Sequence, residues 1–196
     1  RHAICERFIF ENFQIGFSSG NIMELAGGND DLNQRLADLG IVRNGKEVFK
    51  NRLIIPIVDG NKMPVNIAAY SIHPQTKNKL LFLNDTGIFN QSFLQNVDEI
   101  VLTETPVGAL LLIQNDCPNT TFVSGDDQKY VKFVQDHGVT SVVFTFEGGA
   151  RLLYELSKNG VSTRRAVVDF ERLQSGNAKE YLEDLFSDET ASSGED

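Results

Sequence analysis

The chain has 196 residues, 41% hydrophobic and 23% charged, the proportions of an ordinary globular protein with room for one large domain or two small ones. No run approaches the roughly 18 to 20 apolar residues of a membrane-spanning helix, and no membrane partner is expected. The net charge of −9 is uneven: residues 1–95 carry ten Lys/Arg and nine Asp/Glu (+1), residues 96–196 eight and eighteen (−10), so the second half matches poorly the positive potential a nucleic-acid groove needs.

In chain order, "AICERFIF" predicts a first helix, followed by a Gly/Ser loop, "GFSSGN". Asn29 or Asp30 is placed to cap a second helix, "DLNQRLADL", with Leu32, Leu36 and Leu39 on one face and Gly40 as its stop. "RLIIPIVDGNKMPVNIAAYSI" reads as two strands around "DGNK", a hairpin signal because Asp59-Gly60 supplies a tight turn, with Pro56 suggesting an edge position or a bulge. "KLLFLND" is a further apolar run.

The second half alternates. Strands "DEIVLTE", "NTTFVSG", "TSVVFTF" and "VSTRRAVVDF" are each followed by a helical pattern: "TPVGALLLIQND", "DQKYVKFVQDHG", "EGGARLLYELSKNG" and "NAKEYLEDLF". Such alternation predicts an α/β fold, a parallel sheet flanked by helices. Right-handed crossovers bring the C-terminal ends of the strands to one edge, where Glu104, Glu147 and Asp169 all fall. Residues 187–196, "SDETASSGED", lack periodicity and are expected to form a disordered acidic tail. The chain starts "RHAICERFIF" with no initiator Met or signal-peptide pattern, as expected of a segment cut from a longer protein.

Candidate chemistry is sparse. Cys5 and Cys117 are too far apart for a zinc spacing or a disulfide framework, which suits a reducing, cytoplasmic setting. His2, His73 and His137 have no partner at metal-ligand spacing, so no zinc is expected in this chain. "SSGN" lacks the Lys-Ser/Thr sequel of a phosphate loop, and Asp126 and Asp127 read as an N-cap pair. Glu147 stands at the start of a helix, where the helix dipole accounts for a carboxylate without any metal. Arg164 and Arg165 are adjacent on a strand and face opposite ways. The fourteen Phe, without Trp, read as core.

The order of "ENFQIGFSSG", "FKNRLIIPIVDGNKMPVNIAAYSI", "LLFLNDTGIF", a strand ending at Glu104 and a later strand with a glycine turn resembles the catalytic core of bacterial DnaG-type primases, over about residues 8–186. The resemblance implies a mixed α/β subdomain at 1–95, a TOPRIM-like domain at 96–186 and the tail at 187–196. It also implies a role in DNA replication, with single-stranded DNA or replication proteins such as a helicase as partners. Its chemistry would rest on Mg²⁺ or Mn²⁺ held by carboxylates, with Glu104 as the catalytic candidate and Glu104, Glu147 and Asp169 as metal candidates.

Several positions depart from the family pattern. Gly108 stands where an Asp follows the first Glu, Thr145 at the first place of Asp-x-Asp, and Asn177, in the "NAKEYL" echo of a later motif, at another Asp. Tyr70, Leu81 and Gln91 replace an Arg and two Lys, while Arg52 and Lys79 remain as candidate nucleic-acid contacts. The pattern implies a degenerate site with metal binding weakened or lost. A divergent active primase and a pure protein-interaction module are the alternatives.

Overall fold

Asn29 shows how local chemistry sets element boundaries: its side-chain oxygen accepts from the backbone N–H of Leu32 at 3.0 Å and starts a helix at Asp30. The computed structural model describes residues 4, 6–174 and 177–187. Within them lie two compact units, 7–87 and a second of residues 4, 6 and 88 onward. Ala3 and Cys5 of the expected first helix, His2, and all but Ser187 of the expected tail lie outside the described residues.

The first unit runs α1 (Arg7–Asn12), β1 (Gly16–Ser18), α2 (Ile22–Leu25), α3 (Asp30–Asp38), β2 (Val42–Arg43), β3 (Lys46–Glu47), β4 (Arg52–Val58), β5 (Pro64–Tyr70) and β6 (Leu80–Phe82). Its antiparallel sheet has the order β1-β4-β5-β6, and β2 and β3 form a separate small ribbon. The segment read as a Gly/Ser loop contains β1 and leads into α2, and both are held down by Glu47, whose carboxylate accepts from Ser18 and from the N–H of Ile22. On α3 only Leu36 is buried; Leu32 and Leu39 are 41% and 58% exposed, so the expected three-leucine face is one anchor wide.

Pro56 sits on β4 beyond the stretch that β1 pairs, Arg52–Ile54, and a register shift follows between Ile57 and Val58. Proline, with no N–H to donate, therefore costs this ladder no bond to β1. The β4–β5 connection, residues 59–63, is one residue longer than the expected "DGNK". Asp59 organises it by accepting from the N–H groups of Asn61 and Met63, both at 2.9 Å, and Lys62 takes the left-handed conformation. Buried Asn66 donates to the carbonyls of Asn84 and Thr86 and accepts from the N–H groups of Ile67 and Asn84, which ties the "LND" segment to β5.

The second unit runs α4 (Gln91–Leu94), β7 (Glu99–Thr103), α5 (Pro106–Gln114), β8 (Thr120–Phe122), α6 (Gln128–His137), β9 (Ser141–Phe144), α7 (Ala150–Lys158), β10 (Ser162–Arg165), a 3-10 turn (Arg172–Gln174) and α8 (Ala178–Ser187). The strands form a parallel sheet of order β10-β9-β7-β8, flanked by helices as the alternation predicts. Residues 88–95 cluster with this unit because Ile88 and Leu94 enter its core beside Ile100, Leu102, Val142 and Phe144. Helix α5 is apolar on every side and buried from Pro106 to Leu112. Among the described residues no helix is long and apolar enough to cross a membrane.

The chain leaves β7 toward β8 and returns past it to β9, then continues outward to β10. The connections after β7 and β9 therefore diverge, and the gap between their C-terminal ends is the sheet's topological switch point, where open α/β sheets bind ligands.

Candidate functional site

Glu104 follows β7 directly and is exposed. The next residue, Thr105, caps α5: its hydroxyl oxygen accepts from the N–H of Gly108 at 3.1 Å, and Pro106 occupies the first helical turn. The buried Thr103 hydroxyl donates to the carbonyl of Thr105 at 2.8 Å, which fixes the strand-to-helix bend from below. Glu104 is thus displayed at the switch point by a rigid turn.

Across the gap, Thr145 follows β9 and is 2% exposed. Its hydroxyl donates to the carbonyl of Leu102 at 2.9 Å, and its N–H donates to the same oxygen at 3.0 Å. A threonine here stitches β9 to β7 and keeps its oxygen out of the gap.

Glu147 is exposed in a bend three residues before α7, which corrects the expectation that it opens the helix. The cap position belongs to Gly149, at φ +76 with no side-chain cap bond. A Cβ on Gly149 would stand 3.0 Å from the Phe144 ring and 3.2 Å from that of Phe146, so the turn lies flat on two aromatic rings. Arg165, the last residue of β10, closes the turn from its other side: Nη1 donates to the carbonyls of Phe146 at 2.7 Å and Gly148 at 2.8 Å.

Beyond β10 the chain stays against β9, with Val168 N–H donating to the Thr145 carbonyl at 3.2 Å. Asp169 is exposed; its carboxylate accepts from the N–H of Glu171 at 3.0 Å, and its own N–H donates to the Tyr181 hydroxyl at 2.8 Å. Next comes Phe170. Its ring packs on Gly108, where a Cβ would meet Cζ at 3.0 Å and Cε1 at 3.3 Å. The β10 loop therefore reaches past the end of β9 to the first turn of α5, and an aromatic ring covers the position at which the motif pattern calls for an acid.

Among the described residues no group of three or more His, Cys, Asp or Glu stands close enough to hold a metal ion, so Glu104, Glu147 and Asp169 share an edge without forming such a group. Asn177 lines a depression of about 300 Å³ together with Arg172, Glu180, Tyr181 and Asp184. Asp126 accepts from the N–H of Gln128 at 3.1 Å, whereas Asp127, at the cap position of α6, makes no side-chain cap bond and lies 3.5 Å from Arg151.

The basic candidates separate. Arg52 is 9% exposed and donates to the carbonyls of Ala69, Lys79 and Asn78 at 3.4, 2.8 and 2.8 Å, with burial lowering its pKa. Its guanidinium is a strut between β4 and the segment after β5. Lys79 is exposed. Tyr70 lies opposite Leu53 and Leu80, whereas Leu81 lies opposite Ala69, so Tyr70 and Leu81 point to opposite faces of the sheet. Sequence reasoning missed Phe170 and the bonds of Arg165. Both lie in the quoted "VSTRRAVVDF" run, but nothing local marks which residue reaches across a neighbouring strand.

No family model matches the chain, and no curated protein matches it. Solved structures do. A DNA primase domain from Pseudomonas aeruginosa superposes with a TM-score of 0.74 at 17% identity, over 92% of this chain and 67% of that one. The zinc-binding and RNA polymerase domains of the Aquifex aeolicus primase give 0.73 at 16% identity, over 92% of this chain and 52% of that one. A DnaG primase catalytic domain bound to single-stranded DNA gives 0.71 at 17% identity, over 92% and 67%. The chain has the fold of a DnaG-type primase core, and it spans from about half to two thirds of these chains.

Proposed function

We propose that this chain is a primase-like module with a degenerate TOPRIM site, which keeps the fold for binding nucleic acid or protein in a replication setting and does not polymerise. The observation that carries the reading is the Phe170 ring on Gly108, together with the Thr145 hydroxyl committed to Leu102. Two-metal phosphoryl transfer needs carboxylates converging on one point, and here Gly108, Thr145 and Asn177 stand at positions where the resemblance implies an acid. Nucleic acid is the first ligand to test, because one of the similar structures is described as bound to single-stranded DNA. The experiment is template-dependent RNA synthesis by the purified chain with Mg²⁺ or Mn²⁺, run beside fluorescence anisotropy with single-stranded DNA. No primers with salt-sensitive DNA binding supports the reading; primers of any length overturn it.

The charge asymmetry favours a second reading. With −10 on residues 96–196, the second unit suits a basic protein partner better than a phosphate backbone. No DNA binding at low salt, with salt-sensitive capture of a basic replication protein, is the outcome that reading predicts.

A further inference from the structure

A divalent cation of the kind the primase resemblance implies does not fit the C-terminal edge of the parallel sheet as this chain builds it. No three described carboxylates converge, Thr145 is buried and neutral with its hydroxyl donating to Leu102, and the Phe170 ring lies on Gly108. A cation at such an edge does two things: it neutralises carboxylates and it pins the turns that carry them. One side chain is placed to do the second. Arg165 ends the edge strand β10, paired with Phe144. Its guanidinium carbon stands 5.9 Å from the centre of the Phe144 ring. One of its nitrogens donates to the carbonyls of both Phe146 and Gly148, at 2.7 and 2.8 Å, the lengths of charge-assisted bonds. Those carbonyls flank Glu147, so a fixed positive charge sits inside the turn that carries the carboxylate. The two glycines lie on the ring of Phe146 but contribute no side-chain hydrogen bond, and α7 begins without a side-chain cap.

We infer that Arg165 is a built-in cation. It orders the β9–α7 turn by charge in the place of a divalent ion, and the edge is independent of metal. The inference rests on the non-catalytic reading above but is tested without nucleotides or DNA, so a primer-synthesis result bears on that reading and not on this one. The experiment is amide hydrogen exchange of residues 146–149 in the full chain, with millimolar Mn²⁺ or with chelator, alongside Mn²⁺ binding followed by electron paramagnetic resonance. In the wild type, protection is the same with metal or chelator and no Mn²⁺ is held at the edge. Arg165→Met speeds exchange of the turn about tenfold or more through local opening. Arg165→Lys, which keeps the charge, retains most of the protection, whereas neutral Arg165→Gln behaves like Arg165→Met. If Arg165→Met fails to fold, the Lys and Gln variants carry the comparison. Mn²⁺-dependent protection in the wild type, or equal protection in the Lys and Gln variants, overturns the inference.

Discussion

The ring of Phe170 lies so close to Gly108 that a Cβ there would stand 3.0 Å from its Cζ, so two residues 62 positions apart form one steric unit. Phe170 belongs to the loop after β10 and Gly108 to the first turn of α5, two elements with β9 between them in the sheet order. The bare glycine and the bulky ring explain each other.

That unit predicts non-additive mutations. Gly108→Asp restores an acid near a helix N-terminus, where the dipole favours it, yet forces the ring to move, and lowers stability by about 1–3 kcal/mol. In the Phe170→Ala background the same substitution costs less. A double-mutant cycle by urea denaturation should return a coupling of about 0.5 kcal/mol or more; strict additivity would mean that the ring has room to yield.

Thr145→Asp is expected to harm the fold and to restore no activity. The side chain is 2% exposed and its hydroxyl donates to a carbonyl, a bond that an ionised carboxylate cannot make. Burial would raise the pKa of the introduced carboxyl. Its neutral form is then the compatible one, and the variant loses stability as pH rises through that raised value. Unfolding midpoints at pH 4 and pH 8 check this, because the wild type at this position has nothing to titrate.

Arg52 separates a structural from a binding role. Arg52→Met leaves the carbonyl of Asn78 without its partner and that of Lys79 with the Ser71 N–H alone, and lowers stability by about 1–3 kcal/mol. The salt dependence of any single-stranded DNA binding should stay unchanged, because a buried strut releases no counterions. A slope reduced by about one phosphate contact would identify Arg52 as a phosphate ligand instead.

Alkaline pH should destabilise the second unit through a buried phenol and a half-buried thiol. Burial raises the Tyr130 hydroxyl from 10.0 to about 12 and the Cys117 thiol from 9.0 to about 11. Both folded-state values lie above the unfolded ones. Their contributions are therefore complete below about pH 9, and fall as pH rises toward 11 for the thiol and 12 for the phenol. Tyr130→Phe removes the bonds to the Ser124 N–H and the Phe122 carbonyl, both 2.8 Å, costs about 1–3 kcal/mol at neutral pH, and flattens the alkaline loss. Stability curves from pH 7 to 12 decide it.

Much of the second unit was legible as pattern. The strand–helix alternation from "DEIVLTE" onward marks a parallel sheet because short strand patterns alternate with helical ones and polar turns separate them. In the first unit, Asn29 announced its cap chemically, but Leu32 and Leu39 share the spacing of Leu36 and lie exposed. Helical spacing says which residues share a face, not how wide a surface waits to cover it. "DGNK" pointed to the right connection but ended one residue short, because the carboxylate of Asp59, with Lys62 in the left-handed conformation, organises a loop that reaches Met63.

The sequence by itself determined which residue types reach the C-terminal edge of the sheet: Glu104, Glu147 and Asp169 with carboxylates, Gly108 and Thr145 without. Only the tertiary structure decided what surrounds them. The Phe170 ring on Gly108 and the Arg165 bonds to Phe146 and Gly148 join residues from different βα units. Such contacts depend on strand order and register, which periodicity along a single element does not carry.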